Sequence, residues 1–144
     1  MSASDYTETN VLNSTLRGVA YPVPTATYVS LHESDPDETN GATSEVQTTN
    51  WPAYARVNAE LGGAIGTGWS VPAENTPLKQ SKNAKILTFP ANNGTTTRAI
   101  THWAVWNAAT GGNMVASGPL GTPVNIAVGI NFVFDINSLT VTMA

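Results

Sequence analysis

Residues Tyr28-Val-Ser-Leu-His-Glu-Ser-Asp-Pro-Asp-Glu-Thr-Asn-Gly41, followed by Tyr54-Ala-Arg-Val57, decide the fold class of this chain. Thr27, Val29 and Leu31 alternate with Tyr28, Ser30 and His32, the period-two pattern of a strand with one apolar face. That strand runs into an acidic turn rich in Pro, Asn and Gly, and a second β pattern opens about a dozen residues later. Outward from this pair, short β patterns cover residues 26–32, 55–61, 68–72, 84–89, 98–108, 113–117, 124–134 and 138–143. Turn signals separate them at Asn40-Gly41, Gly62-Gly63, Asn92-Asn-Gly94, Gly111-Gly112, Gly118-Pro119 and Asn137. The pattern predicts a mainly β protein, a single antiparallel β-sandwich that is jelly-roll-like.

Two strand pairs stand out. Ile100, His102 and Ala104 face one side and Trp103, Val105 and Asn107 the other, with a turn through residues 109–112 returning along Met114, Val115 and Ala116. Ile130, Phe132 and Phe134 are expected to pair with Leu139, Val141 and Met143 across the 135–137 turn, with Trp103, Val105, Ile130, Phe132 and Val141 in the core. Ahead of the strands lies a short N-terminal α-helix. Ser4 is its expected N-cap, Asp5 and Glu8 lie in its first turn, Tyr6, Val11, Leu12 and Leu16 make an apolar stripe, and Gly18 sits at C′. The expected organisation is a helical arm over 1–18 and a β-sandwich domain over 19–144.

The 144 residues suffice for one real core, and 41% are hydrophobic while only 11% are charged, so Ser, Thr, Asn and Gly must cover much of the surface. Six scattered Lys and Arg residues against ten Asp and Glu give a net charge of −4, which argues against nucleic acid as a partner. Without cysteine there are no disulfides, thiolate metal sites or thiol chemistry. No apolar run reaches transmembrane length and no secretory leader is visible, so no membrane partner is expected and the chain is expected to be soluble and cytoplasmic where it is made.

Catalytic constellations are weak. His32 and His102 lie in no H-x-x-x-H spacing, no G-x-S-x-G elbow occurs, and carboxylates outside the acidic turn are scattered. Counting from Asp35, the sixth and twelfth positions of a calcium loop would be Asn40 and Val46 instead of Gly and Glu, so Asp35 and Asp37 are read as a solvated turn. No metal or cofactor is expected. The glycine-rich segments 62–68 and 118–121 lack a following lysine and read as turns or bulges. Residues 33–50 exceed an ordinary connector and read as an exposed working loop or as one ordered by neighbours. Trp103 and Trp106 differ in parity, so both are core only if both faces of their strand are covered, and tryptophan otherwise favours interfaces. The candidate interface residues are Tyr6, Leu12 and Leu16 on the helix, Asp35 and Asp37 on the loop, and Trp51 and Trp106.

Three stretches carry a family resemblance in matching order. Residues 28–41 and 54–56 resemble "YVALHTADPGETG" followed by "YAR"; residues 101–120 resemble "THFGIFDAATGGNLLASGPL"; and residues 139–143 resemble "LTVTL". These are words of a family of small virion structural proteins of tailed bacteriophages, often labelled tail fibre proteins. The resemblance spans nearly the whole chain and brings no catalytic residue with it. It implies a non-enzymatic virion protein. The leading expectation is a capsid decoration, or cement, protein that bridges capsomers, with the major capsid protein and copies of itself as partners in a homo-oligomeric array. The alternative is a tail or tail-fibre component serving tail assembly or host attachment, with other tail proteins as partners.

Overall fold

A computed structural model describes residues 2–39, 41–76 and 78–143. With Asn40, half of the expected Asn40-Gly41 turn lies outside the described residues. The chain forms β1 (Ser2–Ala3), α1 (Asp5–Arg17), β2 (Tyr28–His32), β3 (Val57–Asn58), β4 (Ala73–Asn75), β5 (Leu78–Lys82), β6 (Leu87–Thr88), β7 (Arg98–Trp106), β8 (Met114–Ile126), β9 (Val133–Phe134) and β10 (Thr140–Met143). All pairings are antiparallel. They make a five-stranded sheet in the order β1-β8-β7-β2-β3, a three-stranded sheet β10-β5-β4, and the pair β6-β9. The protein is therefore mainly β with one N-terminal helix, as the alternation predicts.

Helix α1 has the expected ends. The Ser4 side chain accepts the Thr7 N–H, and Gly18 takes the left-handed conformation (φ 66°) that lets the Val19 N–H reach the Asn13 carbonyl at 3.2 Å.

The main core lies between the large sheet and the smaller ones. Val29 and Leu31 of β2 and Trp103 and Val105 of β7 pack against Leu87, Phe89, Phe132, Phe134 and Leu139. Its centre is an aromatic chain, Trp51 to Tyr54 to Phe89 to Phe132 to Phe134, with ring centroids 4.8–6.2 Å apart. Ile100 joins this core although its parity should send it to the opposite face. Ile100 stands opposite Val124 but His102 opposite Pro119, so a bulge resets the alternation there.

The same bulge removes the expected turn at Gly118-Pro119, and β8 runs on to Ile126. Among the described residues, β1 covers just Ala116 and Ser117 of this strand, so Pro119 and Pro123 lie beyond the described pairing on that side, where their missing N–H is tolerated.

The expected hairpin of residues 130–134 with 139–143 does not form. β9 pairs with β6 and β10 with β5. Asn83 separates them: its amide donates to the carbonyls of Lys85 and Asp135 and accepts the Leu139 N–H, so the chain leaves the turn toward a different partner strand. Ile130 is correspondingly 54% exposed, outside the core, because it closes a turn through Gly129 (φ 85°). Val141 is half-buried at the edge of the core. Residues 68–72 supply one bridge, Trp69 to Asn83, instead of a strand. The hairpin β4-β5 takes its place, tied by the ion pair of Glu74 and Lys79.

A buried polar network beneath an exposed helix and acidic loop

Parity places Ser30, His32, Ala104 and Trp106 on the back face of the large sheet, away from the main core. The loop that follows β2 folds over this face. The Glu33 N–H bonds the Ser44 carbonyl at 2.9 Å and the Val46 N–H the Leu31 carbonyl at 3.0 Å, so residues 41–46 run back alongside β2. The loop is thus pinned to the body at Pro36, Gly41, Glu45 and Val46, which are buried, while most of its other described residues stay exposed, as the length of the segment suggests.

Enclosed between loop and sheet is a continuous chain of hydrogen bonds. The Trp106 indole N–H donates to Ser30 Oγ at 2.7 Å, Ser30 Oγ lies 2.7 Å from His32 Nε2, His32 Nδ1 lies 2.8 Å from Ser44 Oγ, and Ser44 donates to the Gly41 carbonyl at 2.8 Å. Every donor then meets an acceptor when the imidazole is neutral with its proton on Nδ1. Burial, the Arg56 charge and His102 lower the His32 pKa to about 3, against the opposing pull of Asp35.

A second polar group adjoins it. Arg56 forks onto Glu45, with Nε 3.0 Å from Oε1 and Nη2 2.7 Å from Oε2, donates through Nη1 to the carbonyls of Ala108 (3.1 Å) and Gly111 (2.8 Å), and lies 3.6 Å above the Trp106 ring. Tyr54 completes it by donating to Glu45 at 3.0 Å while accepting the Leu31 N–H at 2.9 Å. Burial first, then the Glu45 charge, push the Tyr54 pKa up, so the hydroxyl remains a donor. Tyr28, Ser30, His32 and Arg56, residues of the two opening sequence words, thus meet around the back face, and Tyr54 of the second word reaches Glu45 from the main core.

Glu60 plays a parallel part elsewhere. Its buried carboxylate accepts from the Thr27 N–H and hydroxyl and from the N–H groups of Thr67 and Gly68, at 2.7–3.2 Å. The glycine-rich 62–68 segment does present N–H groups to an anion, and that anion is the chain's own side chain.

The surface above the network is built differently. α1 is anchored through its first turn, where Thr7 Oγ1 donates to the Val115 carbonyl at 2.7 Å and Ser4 Oγ to Met114, while the Asp5 N–H bonds the Glu38 carbonyl of the acidic loop at 3.2 Å. Helix start and loop tip together line a cleft of about 200 Å³ that includes Tyr6, Glu38 and Thr39. Thr7 is the buried residue of the helix, and Leu12 and Leu16 are 58% and 75% exposed. Asp35 and Asp37 are exposed and spend carboxylate oxygens on their own turn: Asp35 accepts from the Asp37 N–H, and Asp37 from the Thr39 N–H and hydroxyl.

Of the seven candidate interface residues, the structure brings Tyr6, Leu12, Leu16, Asp35 and Asp37 to the surface. Trp51 and Trp106 are corrections: at 0% and 1% exposure they offer no contact area. Trp51 heads the core aromatic chain and donates to the Ala91 carbonyl at 2.9 Å, while Trp106 is sealed by Arg56, His32 and Met114. Both faces of β7 are covered, so the parity of Trp103 and Trp106 puts them in two different clusters. Sequence reading missed the Glu45–Arg56 pair, although an arginine within an alternating β segment and an isolated acid late in a loop were the available signal.

A family model for the podophage GP4 fiber I protein gp80 matches residues 2–142. The chain belongs to this family. Membership makes it a phage virion structural protein of fibre type, in agreement with the resemblance in its sequence words. No curated protein matches the chain.

Proposed function

We propose that this member of the fiber I family is a component of the phage tail fibre apparatus that works through protein–protein contact and not through catalysis. The observation that carries this reading is the division of the chain's polar chemistry. Ser30, His32, Glu45 and Glu60 are buried and bonded to groups of the same chain, whereas α1 exposes the apolar side chains of Val11, Leu12 and Leu16. Buried, internally satisfied polar groups fix a shape; exposed leucines are suited to a partner. The partners proposed are other tail proteins and further copies of this chain.

The compact fold keeps a second reading in view. A 13-residue helix and short strands give no repeat or coiled coil from which to build a long shaft, and a small β body also suits a decoration protein seated on the major capsid protein. Virions lacking the protein separate the two. Loss of adsorption or tail assembly, with shells that melt at the temperature of complete ones, is the result expected of a tail component. Shells that rupture earlier and recover on adding purified protein would establish the decoration role instead.

A further inference from the structure

We propose that α1 is a self-association element, pairing antiparallel with the α1 of a second copy of this chain. This deepens the contact reading by naming the surface and its occupant. Three features of the helix lead there.

The first is the missing cover. Glu8, Leu12 and Leu16 follow one another at i, i+4 and i+8 and so form one row along the helix, with Leu12 58% and Leu16 75% exposed. The apolar surface continues past the helix into Val19 and Val23, at 48% and 69%. Among the described residues, the helix is anchored through its first turn, by Ser4 and Thr7 on β8 and by Asp5 on Glu38. A 13-residue helix is marginal in water without packing along its length, so the C-terminal half of α1 is the part that gains most from a partner.

The second is charge. The exposed acids Asp5 and Glu8 are in the first turn and Arg17 is in the last. A second α1 laid antiparallel and centred at Leu12 puts the two Leu12 side chains together and sets each Leu16 and Arg17 level with the other copy's turn at Thr7 and Glu8, where guanidinium and carboxylate come within reach. A parallel pair would set acid against acid and base against base. The helix is complementary to its own reversed copy, the condition for a two-fold isologous contact. The third is the helix dipole, which favours the same antiparallel arrangement.

The stripe is small beside a standard interface, so the pairing of purified chains is weak and becomes effective where copies are concentrated in an assembly. Sedimentation velocity of the purified full chain over a concentration series tests this independently of where the protein sits in the virion. The expected result is a monomer–dimer equilibrium whose dissociation constant rises at least about tenfold in Leu12→Asp and in Leu16→Asp, with far-UV circular dichroism unchanged. Glu8→Lys and Arg17→Glu, each alone, should also weaken dimerisation, by about threefold or more. An equimolar mixture of these two charge variants should dimerise more strongly than either, because each supplies the charge the other lacks. A chain that stays monomeric to about 1 mM overturns the proposal, as does a dimer indifferent to both leucine variants, or a mixture with no preference for mixed pairs. None of these negative outcomes bears on adsorption or tail assembly by the virion, which test the functional reading separately.

Discussion

Removing Arg56 and Glu45 together should cost clearly less than the sum of what each removal costs alone. The two side chains are 6% and 10% exposed, so their ion pair is nearly dry. In Arg56→Met, Glu45 keeps the Tyr54 hydroxyl, its 3.0 Å donor, but loses the guanidinium fork at 2.7–3.2 Å. Breaking a buried pair from one side costs about 3 to 5 kcal/mol, most of it the unpaired charge left behind. The freed carbonyls of Ala108 and Gly111 add little, since Gly111 is exposed and water can replace the donor. Glu45→Gln keeps an acceptor for Tyr54 and strands the guanidinium only partly, because the two carbonyls and the Trp106 face remain; roughly 2 kcal/mol is expected. In the double variant no buried charge is left, so its loss should fall short of the sum by about 1.5 to 3 kcal/mol. Urea unfolding at pH 7 of the four proteins measures this coupling, and Arg56→Met should also lower the thermal midpoint by roughly 10 °C. Additivity within about 0.5 kcal/mol, or a single loss below about 1 kcal/mol, would refute the reasoning.

Acid should destabilise the protein through His32, whose pKa falls from 6.5 to about 3 on folding. Below pH 6.5 the unfolded chain gains a proton that the folded chain refuses, so this stability is complete above that pH and is lost as pH drops toward 3, by about 1.4 kcal/mol per unit. Unfolding midpoints at pH 7 and 4.5, compared with those of His32→Asn, isolate it, and ring NMR shifts of a still-neutral His32 at pH 5 check the cause. Phe89→Ala, at a fully buried junction of three aromatic contacts, should cost about 3 to 5 kcal/mol, whereas Ile130→Ser should stay within about 0.5 kcal/mol; equal losses would place Ile130 in the core after all. Gly94→Ala should cost about 1 to 3 kcal/mol by denaturant titration, because a Cβ there runs into the Asn50 carbonyl oxygen.

Local features were the legible ones. The cap residues Ser4 and Gly18 marked α1 at both ends, and the alternation in β2 and β7 marked the two central strands, since each signal lies within a few residues of its effect. The β4-β5 hairpin escaped because its polar Glu74, Lys79 and Gln80 carry no apolar period on a solvent-facing element. The partners of β9 and β10 escaped because Asn83, some fifty positions earlier in the chain, decides where they go, and no local pattern reports it. At the surface, the helix stripe was legible from spacing alone. Trp51 and Trp106 were not: residue type marks a tryptophan as suited to core or interface alike, and only the fold over β7 distinguishes them.

The anchoring of α1 on β8 also sets an order of events during synthesis. Ser4 and Thr7 bond Met114 and Val115 across 108 to 111 positions, so this segment, synthesised well before β8, waits for that strand before it can dock. Until then, the outer edge of β8 at Ala116 and Ser117 stands open, and Ala3 with its neighbour is the strand that will close it. A chain in that state offers another molecule's β1 an equivalent seat, since the vacancy is the same in every copy. Such an edge is the kind at which a strand can be exchanged between neighbouring copies, and docking of the chain's own β1 is what closes it within one subunit.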